Sequence, residues 1–170
     1  MLSPKKRQSV RTLIELMTGG LVGPFKTERV EPTLKQKALS QKQAEYAIIG
    51  LSKENCFSFT LESEALAKEI ASVLNKVFIY NTDDETAEIS LQDSLTVRLL
   101  IERLTTENGL VGPFTVIETP KSTLQKLTRR PVSHSVVGLD KQNRLGIEFS
   151  DFELALESAS VMNQIFRYED

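Results

Sequence analysis

The hexapeptide GLVGPF occurs twice in this chain of 170 residues, at residues 20–25 and again at residues 109–114. In both places it follows a segment whose apolar residues recur at intervals of three and four, which is the spacing of an amphipathic helix. These residues are Val10, Leu13, Ile14 and Met17 before the first copy, and Val97, Leu100, Ile101 and Leu104 before the second. Gly20 and Gly109 can take the left-handed conformation that ends a helix, and the proline lacks the N–H that would continue it. The hexapeptide therefore predicts the same helix-to-strand corner at two points of the chain.

Similarity between the two halves of the chain extends well beyond the hexapeptide. VRTLIE at 10–15 matches VRLLIE at 97–102, and IGLSKEN at 49–55 matches VGLDKQN at 137–143. LAKEIASVLNKVFIY at 66–80 matches LALESASVMNQIFRY at 154–168. We interpret these matches as a tandem duplication, with one repeat in residues 1–80 and the other in residues 94–170. The acidic segment 81–93 between them has the character of a linker, with a short strand at 87–92 as the alternative.

Each repeat contains three segments that are typical of β-strands. In the first repeat they are FKTERVE, AEYAIIGL and CFSFTL; in the second they are FTVIET, VSHSVVGL and RLGIEF. A final amphipathic helix follows in each repeat, and Ser3 or, in the second copy, Asp93 or Ser94 can cap the first helix. We therefore predict an α+β fold, built by tandem duplication of an α-β-β-β-α unit. Each copy has an antiparallel three-stranded sheet with two helices on one face.

Composition narrows the classes of function. The single cysteine, Cys56, and the single histidine, His134, cannot form an internal disulfide or a His/Cys metal cluster, so no metal or other cofactor is expected. His134 lacks a nucleophile and an orienting partner, and we interpret it as a partly buried strand residue rather than a catalytic base. No apolar run is long enough to span a membrane, and no hydrophobic stretch follows the basic N-terminus, so a cytoplasmic protein without a membrane partner is expected.

Positive charge is concentrated between the first two strands of each repeat. Residues 26–43 and residues 115–133 each carry a net charge of +3, although the whole chain carries −2. Such a connector can be a solvated loop or a surface that faces an anion, a nucleic acid or an acidic protein. The candidate binding residues are Lys35, Lys37, Lys42, Lys121, Lys126, Arg129, Arg130 and His134.

The order α-β-β-β-α, the stretch LLIERLTTENGLVGPFTVIET at 99–119 and RRPVSH at 129–134 resemble the double-stranded-RNA-binding domain. The resemblance implies that the first helix and the RRPVSH loop enter successive minor grooves of a duplex, through Glu102, Arg129, Arg130 and His134. In that family the second helix begins with a lysine cluster that binds phosphates. Here it begins with ESEALAKE or SDFELALE, whose acidic residues repel a duplex.

From these observations we expect a non-enzymatic binding, adaptor or regulatory protein that acts through protein–protein contacts, with homo-oligomerisation as a further option. The alternative is an RNA- or DNA-binding protein that uses the basic connectors. An enzyme without a metal or a recognisable triad is the third hypothesis. Asn75 and Asn163 recur in the middle of the last helix, followed by Tyr80 and Tyr168, and a bond to a neighbouring loop or to the other repeat is the role expected for the asparagines.

Overall fold

The computed structural model of the protein describes residues 2–31, 44–79, 88–105, 110–119, 132–139 and 144–167. These residues form an α+β fold with four helices and two antiparallel three-stranded sheets, of strand order β1-β2-β3 and β4-β5-β6. The predicted α+β class is confirmed. The elements, in chain order, are α1 (Pro4–Thr18), β1 (Lys26–Val30), β2 (Glu45–Ile49), β3 (Cys56–Leu61), α2 (Glu64–Val77), α3 (Leu91–Leu104), β4 (Thr115–Glu118), β5 (His134–Val137), β6 (Arg144–Phe149) and α4 (Phe152–Phe166).

Contacts between residues divide the chain into two units, Met1–Leu104 and Thr105–Asp170. The first unit contains the sheet β1-β2-β3 with helices α1, α2 and α3, and the second contains the sheet β4-β5-β6 with helix α4. Helix α3 belongs to the first unit because it packs on α2, α1 and β3. The boundaries of the two repeats, residues 1–80 and 94–170, differ from those of the two units and remain a prediction from the sequence.

Serine side chains cap the N-termini of the first and third helices. Ser3 precedes Pro4 and its hydroxyl accepts a hydrogen bond from the Lys6 N–H, as expected from the sequence. Helix α3 begins at Leu91, and the hydroxyl of Ser90 accepts from the Asp93 N–H at 3.0 Å. The predicted cap at Asp93 or Ser94 is therefore wrong, because Ser90 offers its hydroxyl one turn earlier. The first turn of α3 lies in the segment predicted to be a linker.

Among the described residues 88–92, the alternative strand is present only as an isolated bridge at Ile89. Leu2 and Ile89 exchange two backbone hydrogen bonds of 3.0 and 3.1 Å, and both side chains are buried. The contact ties the chain ahead of α1 to the residues ahead of α3, within the first unit.

Each unit has an apolar core beneath the helix that follows its third strand. Helix α2 packs on all three strands of its sheet, and helix α4 does the same in the second unit. Full burial of a large apolar side chain contributes roughly 1.5–3 kcal/mol, so the set of such residues dominates the stability of each unit. The fully buried side chains include Val10, Leu13, Ile14, Ile48, Ile70 and Leu74 in the first unit, and Val136, Met162, Ile165 and Phe149 in the second. Among the described residues, no helix is long and apolar enough to cross a membrane.

Candidate functional site

The last residue of each hexapeptide is held by a buried asparagine. In the first unit the Asn75 Oδ1 accepts from the Phe25 N–H at 2.7 Å, and its Nδ2 donates to the Phe25 carbonyl at 2.8 Å. In the second unit Asn163 forms the same two bonds with Phe114, at 2.6 and 2.9 Å. We call this pair of bonds the asparagine clamp. The side-chain amide pairs with the backbone as a neighbouring strand would. It thereby provides hydrogen-bond partners for the buried N–H and carbonyl of the phenylalanine.

Aromatic contacts strengthen each clamp. The ring of Phe25 meets the ring of Phe78 edge-on, with centroids 5.3 Å apart, and Phe114 meets Phe166 in the same way at 5.2 Å. The Gly–Pro peptide bond that precedes the phenylalanine is cis in both hexapeptides. Of the two roles expected for the asparagines, the bond to a neighbouring loop is confirmed. The signal in the sequence was a polar residue repeated at a position that faces the core.

The middle of each hexapeptide is held by the turn between the second and third strands. The Leu51 N–H donates to the Val22 carbonyl at 2.8 Å, and the Leu139 N–H donates to the Val111 carbonyl at 2.8 Å. In the first unit the Asn55 side chain adds two bonds to Val22, of 2.8 Å to its carbonyl and 3.2 Å from its N–H.

Two further features fix this turn of the first unit. A Cβ on Gly50 would lie 2.1 Å from the Val22 carbonyl oxygen, so only glycine allows the approach. Lys53 forms an ion pair with Glu28 on β1, and the hydrogen bond and negative charge of Glu28 raise the pKa of Lys53. The turn that carries Leu51 is thus tied both to the hexapeptide and to the first strand.

The result in each unit is an exposed pair of apolar side chains, which we call the apolar corner: Val22 with Leu51, and Val111 with Leu139. The leucines are 72% and 70% exposed, and the valines are 46% and 43% exposed. The carbonyl of each valine accepts a hydrogen bond from the leucine N–H, and in the second unit the neighbouring Leu110 is buried.

Most of the binding residues predicted from the sequence lie outside the described residues: Lys35, Lys37, Lys42, Lys121, Lys126, Arg129 and Arg130. The exception is His134, which is half-buried at the start of β5 and lies across from Glu118 in β4. Its ring centroid is 5.0 Å from that of Phe152, and its Nδ1 is buried without a hydrogen-bond partner among the described residues.

The remaining residues singled out by the sequence have ordinary surroundings. Glu102, which the resemblance implied, accepts a hydrogen bond from the Arg98 Nε at 3.0 Å on α3. Cys56 is an exposed free thiol at the start of β3. The described parts of the chain contain no group of three His, Cys, Asp or Glu residues that could hold a metal ion.

Comparison with protein-family models, with curated proteins and with solved structures finds no match for this chain. The apolar corners are therefore interpreted from their own geometry. In each of them a backbone hydrogen bond joins the exposed leucine to the exposed valine's carbonyl, and the exposed apolar side chains are suited to non-covalent contact.

Proposed function

We propose that the chain is a tandem duplication of an α-β-β-β-α unit and acts as a non-enzymatic adaptor that contacts a protein partner through its two apolar corners. The observation that carries this proposal is that Leu51 and Leu139 are identical although both are highly exposed. The same asparagine clamp and the same leucine-to-valine hydrogen bond in both units support the duplication.

Packing explains the identities between the two repeats at buried positions, such as Val10 and Val97, but not the identity of Leu51 and Leu139. A buried residue is constrained by its neighbours, whereas an exposed one is free to change. The backbone N–H of Leu51 would be supplied equally well by any residue other than proline. The next residue has changed, from Ser52 to Asp140. Retention of a large apolar side chain at this exposed place therefore favours a contact that covers it.

The chemistry of the corner favours a protein over a nucleic acid. Covering a leucine that is otherwise exposed contributes up to about 1.5–3 kcal/mol to association. Branched apolar side chains pack against other apolar side chains in the buried centre of a protein–protein interface. Two corners of the same composition provide two equivalent contacts, so that a partner with two matching sites gains avidity.

Nucleic-acid binding is the second candidate, because each basic connector carries a net charge of +3. The start of the last helix in each repeat argues against a duplex. Ser63 and Asp151 cap these helices, and Glu64 and Glu153 lie in their first turns. A carboxylate at this position repels the phosphate that the double-stranded-RNA-binding domain binds with lysines.

The test is affinity capture from an extract of the native host, with and without nuclease, using the wild-type chain and the Leu51→Ser and Leu139→Ser variants. We expect nuclease to leave the captured protein in place, each single variant to retain less of it, and the double variant to retain none. The matched control is Leu16→Arg, since Leu16 is exposed and the second repeat has Arg103 at the corresponding place. Loss of the captured protein on nuclease treatment, or full retention by the double variant, would overturn the proposal.

A further inference from the structure

The second unit has an exposed apolar patch at the opposite end of β5 from Leu139. It consists of Phe152 and Leu156, one turn apart on α4, and the ring of His134 against Phe152. Phe152 is 46% exposed and Leu156 is 40% exposed. Glu118 lies directly across the β4–β5 ladder from His134, on the same face of the sheet, and thus at the edge of the patch.

The corresponding place in the first unit is occupied by an ionic cluster. Lys68 Nζ lies 2.6 Å from the Glu64 carboxylate, one turn away on α2. Arg29 lies across the ladder from Tyr46, as Glu118 lies across from His134. The hydrogen bond and charge of Lys68 lower the pKa of Glu64, and Tyr46 and Arg29 add to this effect. The first unit therefore provides both partners of its own ion pair.

The second unit has a different residue at each of the three positions that carry a charge in this cluster. Its sequence has Glu118 in place of Arg29, Phe152 in place of Glu64 and Leu156 in place of Lys68. The second unit therefore lacks the cations Arg29 and Lys68, carries an acid at the edge of the patch and exposes two apolar side chains. Among the described residues, Glu118 has no ion-pair partner.

We propose that this patch binds a protein segment in which a lysine or arginine lies next to bulky apolar residues. The apolar residues of the segment cover Phe152 and Leu156, and its cation pairs with Glu118. An acidic side chain placed directly beside Glu118 is disfavoured by the like charge.

A random dodecapeptide library displayed on phage tests this proposal directly. The wild-type chain is the target, and the variant Phe152→Glu/Leu156→Lys removes peptides that bind elsewhere. This variant should fold, because it copies Glu64 and Lys68 of the first unit and places an acid in the first turn of α4, where the helix dipole favours it. Thermal unfolding of both proteins verifies this.

We expect enriched peptides that combine Leu, Ile, Val or Phe with Lys or Arg. A synthetic peptide of the leading sequence should bind about tenfold or more weakly to Phe152→Glu and to Glu118→Arg, the effect of losing one anchor contact, and equally to Leu16→Arg. Backbone amide shifts in the wild-type chain should map to β4, the start of β5 and the start of α4.

Four results would overturn the proposal. Two concern the selection: enrichment of acidic peptides, or no enrichment over the counter-selecting variant. Another is a selected peptide that binds Glu118→Arg as tightly as wild type. The last is a wild-type dimer in sedimentation velocity that Phe152→Glu converts to monomer, because a second copy of the chain would then be what covers the patch. None of these results bears on Leu51 and Leu139, so the apolar corners are tested separately.

Discussion

Replacing Asn75 by alanine removes the clamp that holds the first hexapeptide. Two bonds are lost, the 2.7 Å bond from the Phe25 N–H and the 2.8 Å bond to the Phe25 carbonyl. Asn75, Phe25 and their surroundings are buried, so water does not replace the missing partners without opening the corner.

The magnitude follows from the two buried hydrogen bonds that the Phe25 N–H and carbonyl lose. Removing one partner of a buried hydrogen bond costs about 1–3 kcal/mol, so Asn75→Ala should lower the free energy of unfolding of the first unit by about 4 kcal/mol. Asn163→Ala should cost the second unit a similar amount, because its bonds to Phe114 have the same geometry. Urea unfolding followed by circular dichroism measures the free energy of unfolding of both variants. Comparison of the tyrosine signal with the amide signal detects separate unfolding of the two units.

Asn55 provides a matched control within the same chain. Its amide also forms two bonds, to the N–H and carbonyl of Val22, but this site is exposed and water replaces the lost bonds. Asn55→Ala should therefore cost about 1 kcal/mol or less. A loss for Asn75→Ala no larger than that for Asn55→Ala would refute the reasoning that burial of the clamp makes it essential.

Two further changes test the corner and the packing of α3. Gly50→Ala should destabilise the first unit by about 2 kcal/mol or more, since a Cβ meets the Val22 carbonyl, and a thermal unfolding midpoint equal to that of wild type would contradict this. Burial raises the pKa of Asp93, but hydrogen bonds from Lys76 and Ser90 outweigh it, and the pKa lies below its ordinary value. The carboxylate therefore stabilises the fold above about pH 4, and this contribution is lost as the pH falls through the lowered value. Asp93→Asn should be less stable than wild type by about 1–2 kcal/mol at pH 7, and the difference in urea midpoint should shrink as the pH falls below about 4; a difference that does not change with pH would contradict the assignment.

The sequence predicts the local elements well because their signals are local. The glycines and proline of residues 20–25 end a helix through their own backbone properties, independently of the surrounding structure. Val10, Leu13 and Ile14 are buried on one face of α1, as their spacing indicates. The three strands of each unit lie where alternating apolar residues and turn residues place them.

What the sequence does not predict depends on contacts between distant residues. Phe25 and Asn75 are 50 residues apart, and their bonding is set by how α2 packs on the sheet. The amphipathic pattern of α3 predicts which of its residues are buried, but it does not predict that the helix packs on α2. Likewise the aromatic neighbour of His134 belongs to another element, and nothing in the pattern around residue 134 indicates it.

The proposal that both apolar corners contact the same protein is tested most directly by photo-cross-linking in the native host, with p-benzoylphenylalanine in place of Leu51 or of Leu139 and, as the control, in place of Leu16. Positions 51 and 139 should cross-link to the same polypeptide, in a nuclease-resistant product that position 16 does not form. Cross-linking to nucleic acid alone, no product at position 51 or 139, or the same products at position 16 would contradict it.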